Sequence, residues 1–163
     1  MKKILLTLVV ALGAVTISQA QEISKNAIGL RFGDGDGLGT EISYQRGLGD
    51  NNRLELDLGY ENNDRFDAFK LTGVYQWLWN IDGGFNWYAG VGGGLGSIDI
   101  DDDFRGRDDD DDEFFLLAAG QVGIEYNFDI PLLISLDIRP EFYFNDFRDD
   151  TEIDIALGVR YQF

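Results

Sequence analysis

The sequence predicts an all-β fold, an eight-stranded antiparallel up-and-down transmembrane β-barrel that follows an N-terminal signal peptide. Three observations carry this expectation. Apolar residues alternate with polar ones, the period of a strand whose two faces meet unlike surroundings. The alternating blocks number eight, and most run roughly nine to thirteen residues. A typical globular strand has about five or six, and a tilted strand needs about 9–11 to cross a bilayer. Nearly all charged residues inside the blocks keep to one parity, and aromatic residues of the other parity gather at block ends.

Residues 1–20 read as the signal peptide. Lys2 and Lys3 precede an apolar run over 4–17, and Ser18-Gln19-Ala20 supplies the small residues that suit cleavage after Ala20. The run is shorter than the roughly 20 apolar residues of a membrane-spanning helix. The barrel domain is then 21–163.

The first strand, 27–33, sets Ile28, Leu30 and Phe32 against Gly29 and Arg31. In the second, 38–46, Ile42 and Tyr44 oppose Glu41, Ser43 and Gln45. The third is clearest, with Leu54, Leu56, Leu58 and Tyr60 against Arg53, Glu55, Asp57, Gly59 and Glu61. The fourth opposes Phe69, Leu71, Tyr75, Trp77 and Trp79 to Lys70, Thr72 and Gln76. In the fifth, Phe85, Trp87, Ala89, Val91 and Leu95 face away from Asn86, Tyr88 and Gly90, Gly92, Gly94 and Gly96. The sixth sets Phe114, Leu116, Ala118, Val122, Ile124, Tyr126 and Phe128 against Gln121, Gly123, Glu125 and Asn127. The seventh opposes Leu132, Ile134, Leu136, Ile138, Phe142 and Phe144 to Ser135, Asp137, Arg139 and Glu141. The eighth sets Ile153, Ile155, Leu157, Val159, Tyr161 and Phe163 against Glu152, Asp154, Gly158, Arg160 and Gln162.

An even strand count lets the eighth strand pair with the first, which removes every sheet edge. The connections fall at 33–37, 47–52, 62–66, 80–84, 99–113, 129–131 and 145–150. With both termini in the periplasm, the only long connection, 99–113, lies outside the cell. Asp82-Gly83 signals a tight turn. Pro131 suits a turn, whereas Pro140 inside the seventh strand predicts a local bulge. Trp77, Trp79, Phe85, Trp87, Tyr126, Phe128, Tyr161 and Phe163 form one aromatic girdle. Phe32, Tyr60, Phe69, Phe114 and Phe144 form a weaker one at the opposite ends.

Composition narrows the function. The absence of Cys excludes a lipoprotein anchor, disulfides and thiolate metal sites. The absence of His removes the commonest general base and transition-metal ligand. The net charge is −17, falling to −19 without the two leader lysines, so nucleic acid is not an expected partner. An aromatic content of 13% with only two prolines argues for an ordered chain.

The polar parity defines a candidate lumen network: Arg31, Arg53, Lys70, Arg139 and Arg160 with Glu41, Glu55, Asp57, Glu125, Asp137, Glu141 and Asp154. Eight strands leave an interior just wide enough for side chains, so paired charges plugging the lumen are favoured over a gated pore or proton path. The glycines of the fifth strand would leave room for long Arg and Glu chains from the facing wall. Asp101, Asp103, Asp109 and Asp111 in the acidic connection are weak candidates for contacts to divalent cations such as calcium. Asp99, Asp101 and Asp103 approach EF-hand spacing, but Phe104 stands where the sharp turn needs glycine. A solvated, self-repelling loop is the simpler reading. The 33–37 stretch reads as a turn. No nucleophile, catalytic set, resident metal or cofactor is expected.

The closing stretch Leu157, Val159, Tyr161 and Phe163 resembles the C-terminal signal by which outer-membrane barrels are recognised for assembly. The 21–163 segment resembles the small OmpA/OmpX-type outer membrane protein β-barrel domain family, without the peptidoglycan-binding domain that follows the barrel in full-length OmpA. That resemblance implies a cell outer-membrane location in a Gram-negative organism. It also implies contact with lipid, lipopolysaccharide and the assembly machinery, and a monomer. Barrel enzymes of similar fold that cleave or transfer lipid acyl groups, or cut peptides, depend on His, so no enzyme is expected. The leading expectation is a structural or interaction protein that anchors acidic extracellular loops for adhesion or cation contact. A narrow porin-like channel for ions or small solutes and a soluble lipocalin-like ligand carrier are the alternatives.

Overall fold

The computed structural model describes residues 24–33, 39–63, 66–100, 113–144 and 151–163. The signal-peptide segment lies outside these residues, as do most of the 33–37, 99–113 and 145–150 connections. Eight strands follow in chain order: β1 (Asn26–Gly33), β2 (Thr40–Gly47), β3 (Asn52–Asn63), β4 (Phe66–Asp82), β5 (Phe85–Ile100), β6 (Glu113–Asn127), β7 (Leu132–Phe144) and β8 (Thr151–Gln162). Each pairs antiparallel with the next, and β8 pairs with β1 from Ala27↔Gln162 to Gly33↔Ala156. The sheet is a closed barrel. Among the described residues every strand is paired on both sides, which leaves no free sheet edge there.

Closure is staggered. Register partners run from Ile28 through Tyr44, Leu56, Gly73, Gly93, Ala118 and Phe142 to Thr151. Thr151 lies five residues before Ala156, the partner of Gly33, and Gly33 lies five residues beyond Ile28, so one circuit advances the chain by ten residues. Such a stagger tilts the strands against the barrel axis and decides which inward side chains meet across the lumen.

The period of two then sorts the residues. Thirty large apolar residues among those described are exposed, from Ile28 and Leu56 to Ile155 and Val159, and most of them ring the outer wall. Glycines aside, the buried residues among those described comprise nineteen polar or charged ones and only eleven apolar ones. This inverts the partition of a water-soluble protein, whose exposed apolar patches rarely pass a few hundred Å². It contradicts the lipocalin-like alternative, which needs the apolar parity inside. Aromatic residues pack at the strand ends nearest the β4–β5 turn: Trp79 stacks on its register partner Trp87 (4.3 Å between centroids), and Phe85 lies 4.5 Å from its partner Tyr126. At the opposite ends Phe32, Tyr60, Phe114 and Phe144 are exposed.

Two local expectations are corrected. The β4–β5 turn sits on Gly83-Gly84 rather than Asp82-Gly83. Gly83 has φ 52°, the left-handed region a side chain disfavours, and β4 continues to Asp82 with an irregularity between Asn80 and Asp82. Asn80 Nδ2 secures the turn by donating to the carbonyls of Gly83 (3.0 Å) and Phe85 (3.1 Å). Pro140 makes no bulge. The β6–β7 register is the same on both sides of it, Ala119↔Glu141 and Val122↔Ile138, so no residue is inserted. The ladder simply skips the stretch where proline lacks an N–H. Gly120 opposite has no Cβ, and one built there would lie 3.5 Å from the proline ring.

Candidate functional site

The candidate site is the lumen, built from the inward parity of all eight strands. All twelve lumen-network residues named from the sequence are buried there. The stagger groups them into two clusters. Near mid-barrel, Arg31 from β1 bonds Glu41 at 2.8 Å with Nη1, Asp154 at 2.5 Å with the same nitrogen, and Asp137 at 2.5 Å with Nη2. Arg139 from β7 reaches across to Asp57 (2.8 Å) and Glu41 (2.8 Å), and its Nε lies 2.8 Å from Glu141. Lys70 from β4 lies 3.3 Å from Glu141 and 3.5 Å from Glu41. Three cations thus serve five carboxylates.

The second cluster lies nearer the β4–β5 turn. Arg53 donates to Glu125 (2.8 Å) and Gln76 (2.7 Å), and its guanidinium lies 5.2 Å from the centroid of the Tyr88 ring. Arg160 donates to Glu55 (3.0 Å), Ser43 (2.9 Å) and Ser135 (2.8 Å). Gln76 passes a hydrogen bond to Gln121, which passes one to Glu55. Gln45 donates to the other Glu55 oxygen at 2.5 Å. The Tyr88 hydroxyl donates to Asp137 at 3.2 Å and joins the two clusters. Ser43, Gln45, Gln76, Tyr88, Gln121 and Ser135 are therefore members that a charge-based list omits, although their parity marks them as inward. Glu152, also inward by parity, is half-buried near the end of the barrel with Glu141 as its register partner.

Above the charged clusters, towards the β5–β6 connection, the lumen turns apolar. Phe115, Leu117, Ala119 and Tyr143 form a buried group with Ile98 packed against it. The Phe115 and Tyr143 rings lie 5.4 Å apart, and the Tyr143 hydroxyl donates to Glu141 at 2.7 Å, tying the cap to the ions beneath. These apolar residues stand at inward positions that alternation alone did not flag, because their outward neighbours Phe114, Leu116, Phe142 and Phe144 are apolar too.

The glycines of β5 do not make room for charged chains from the facing wall. A Cβ on Gly92 would strike the Gly73 carbonyl of the adjacent β4, one on Gly94 would meet the Leu71 carbonyl and Thr72, and one on Gly96 would meet Phe69 and the Phe115 ring. They admit the close approach of neighbouring strands and of Phe115. Space for the ion network is made elsewhere. Gly158 leaves room for the Arg160 guanidinium, Gly33 for the Asp154 carboxylate, and Gly123 for Tyr88 and Asp137.

Chemically, the arrangement pairs buried charge. Burying an ion is costly unless it is paired and hydrogen-bonded, and here each Arg serves two or more partners. Among the described residues no group of three or more carboxylates has the disposition of a metal site. Asp101, Asp103, Asp109 and Asp111 lie outside the described residues. Leu157, Val159, Tyr161 and Phe163 line the outer face of β8 and are exposed.

Solved structures share this architecture. The N-terminal β-barrel domain of OprF from Pseudomonas aeruginosa is similar with a TM-score of 0.66 at 15% identity, covering 86% of this chain and 98% of that one. Neisserial surface protein A is similar with a TM-score of 0.59 at 14% identity, covering 85% and 94%. Ail, the attachment invasion locus protein of Yersinia pestis, gives 0.55 at 15% identity, covering 86% and 97%. No protein-family model and no curated sequence matches the chain. The fold is that of the small eight-stranded outer-membrane β-barrels.

Proposed function

We propose that the chain is an integral outer-membrane β-barrel with a structural and interaction role, its wall anchoring the acidic connections at the outer end. One observation carries the reading: an exposed apolar wall around a lumen closed by ion pairs. A wall of that kind is stable only in hydrocarbon, where the barrel satisfies every backbone donor and acceptor internally. Outer-membrane lipid and lipopolysaccharide are then its immediate surroundings, with the assembly machinery reading its last strand. The filled lumen and its apolar cap support anchoring over transport. Neither acid–base nor nucleophilic catalysis belongs to this reading, in keeping with the lack of His and Cys.

Extraction from outer membranes with heat-modifiable gel mobility is the expected result, and recovery only as a soluble periplasmic protein contradicts it. Planar-bilayer recordings of the refolded chain should be silent. Discrete conductance steps would replace the anchoring role with that of a narrow channel. Adhesion or cation contact by the 99–113 connection is tested by deleting it and measuring cell binding and calcium uptake; unchanged values remove that part of the role.

A further inference from the structure

The lumen network is not balanced along its length. Nearer the β4–β5 turn, Arg53 and Arg160 match Glu125 and Glu55 one for one. Near mid-barrel, three cations among the described residues serve five buried carboxylates. An excess of buried negative charge is costly unless something positive offsets it.

The cover is thinnest at Asp57 of β3. Glu41 has Arg31, Arg139 and Lys70 within 3.5 Å. Glu141 has Lys70 and Arg139, Asp154 has Arg31 and Arg139, and Asp137 has Arg31 and the Tyr88 hydroxyl. Asp57 has Arg139 alone, at one oxygen, and that guanidinium also serves three other carboxylates. The second oxygen, Oδ1, is buried and accepts no hydrogen bond. The register partner of Asp57 on β4 is Thr72, fully buried, whose hydroxyl has no partner either. A Cβ built on Gly94, the β5 partner of Thr72, would lie 3.0 Å from that hydroxyl, so β5 brings no side chain there. The charges that bear on Asp57 are Glu55 of its own strand, Glu41 of β2, Arg139 of β7 and Arg160 of β8. With Asp57 itself they leave one negative charge over.

We propose that the lumen binds one monovalent cation, an alkali ion or a proton, at Asp57 Oδ1 beside the Thr72 hydroxyl. Both sources meet the same need, a single positive charge on a buried oxygen that no Lys or Arg reaches. A calcium ion, which takes about 6–8 oxygens, has too few here. The inference goes beyond the anchoring role and rests on the closed lumen rather than on the membrane reading.

The test is urea unfolding of the full chain refolded in detergent micelles. One series replaces N-methylglucamine chloride by sodium chloride at fixed pH and ionic strength, and a second varies pH without alkali ions. A cation bound only by the folded barrel should multiply the folding constant by up to about ten for each tenfold rise in its concentration. A slope in sodium identifies the alkali ion. Stability that falls as pH rises above the ordinary carboxylate range, with no slope in sodium, identifies the proton. Asp57→Asn, uncharged and of the same shape, should fold and lose either dependence, and Thr72→Val should weaken it. Glu125→Gln, in the balanced cluster, should lower the urea midpoint yet keep the dependence. A parent that responds to neither cation, a response that survives Asp57→Asn, or an Asp57→Asn chain that cannot fold overturns the proposal.

Discussion

The barrel wall has two sectors that keep the same backbone pattern and fill their inner face in opposite ways. The arc from β7 through β8 and β1 to β3 projects long charged chains. Arg31, Arg139 and Arg160 there meet Glu41, Glu55, Asp57, Asp137 and Asp154 across the lumen. The β5 face projects almost nothing between Gly90 and Gly96, and its neighbours close over it through Val74, Thr72 and Phe115. In the first arc stability depends on having every partner present. In the second it depends on having a side chain absent.

The largest effect should come from removing a hub of the charged arc. Arg139→Leu removes the ion pair of Asp57, while Glu41 keeps Arg31 and Lys70, and unpairing a buried charge costs about 3–5 kcal/mol. Urea unfolding in detergent micelles should show that loss, and a change under about 1 kcal/mol would mean the pairs are dispensable. On the outer wall, Leu136→Lys should cost about 2–4 kcal/mol when folding is measured in bilayers, as for a charge near the membrane midplane. In the glycine sector, Gly92→Ala forces a Cβ against the Gly73 carbonyl and should cost about 1–3 kcal/mol, read as a lower urea midpoint at constant slope. A neutral Gly92→Ala would erase the contrast between the arcs. The smallest change is expected from replacing a whole pair. Arg53→Met with Glu125→Leu should stay within about 2 kcal/mol of the parent or gain stability, because both charges leave together.

Much of this was legible in the sequence because a period of two assigns each residue to a face without reference to its neighbours. Leu56 and Leu157 outside, and Glu55 and Arg160 inside, follow from that parity alone. Who meets whom was not legible. Arg31 finds Asp154 and Asp137 only once β8 closes on β1 and β7 pairs with β8 at particular registers, and no local pattern encodes that closure. The apolar cap was hidden for a related reason, since Phe115 and Leu117 are flanked by apolar outward residues and the alternation fades there. Pro140 misled because its cost was read from its own strand, whereas the β6–β7 ladder skips the pairs around it and keeps its register. The same limit applies to the β5 glycines, whose neighbours belong to β4 and β6.

The central claim is the direction in which each face looks, and the chain's lack of cysteine makes it directly accessible to single-site labelling. A nitrobenzoxadiazole probe on Leu56→Cys in the vesicle-refolded barrel should emit in the blue, be quenched by doxyl groups carried mid-chain on the lipids, and ignore aqueous iodide. Quenching by iodide with no response to the lipid-borne quencher would place that face in water and contradict the account.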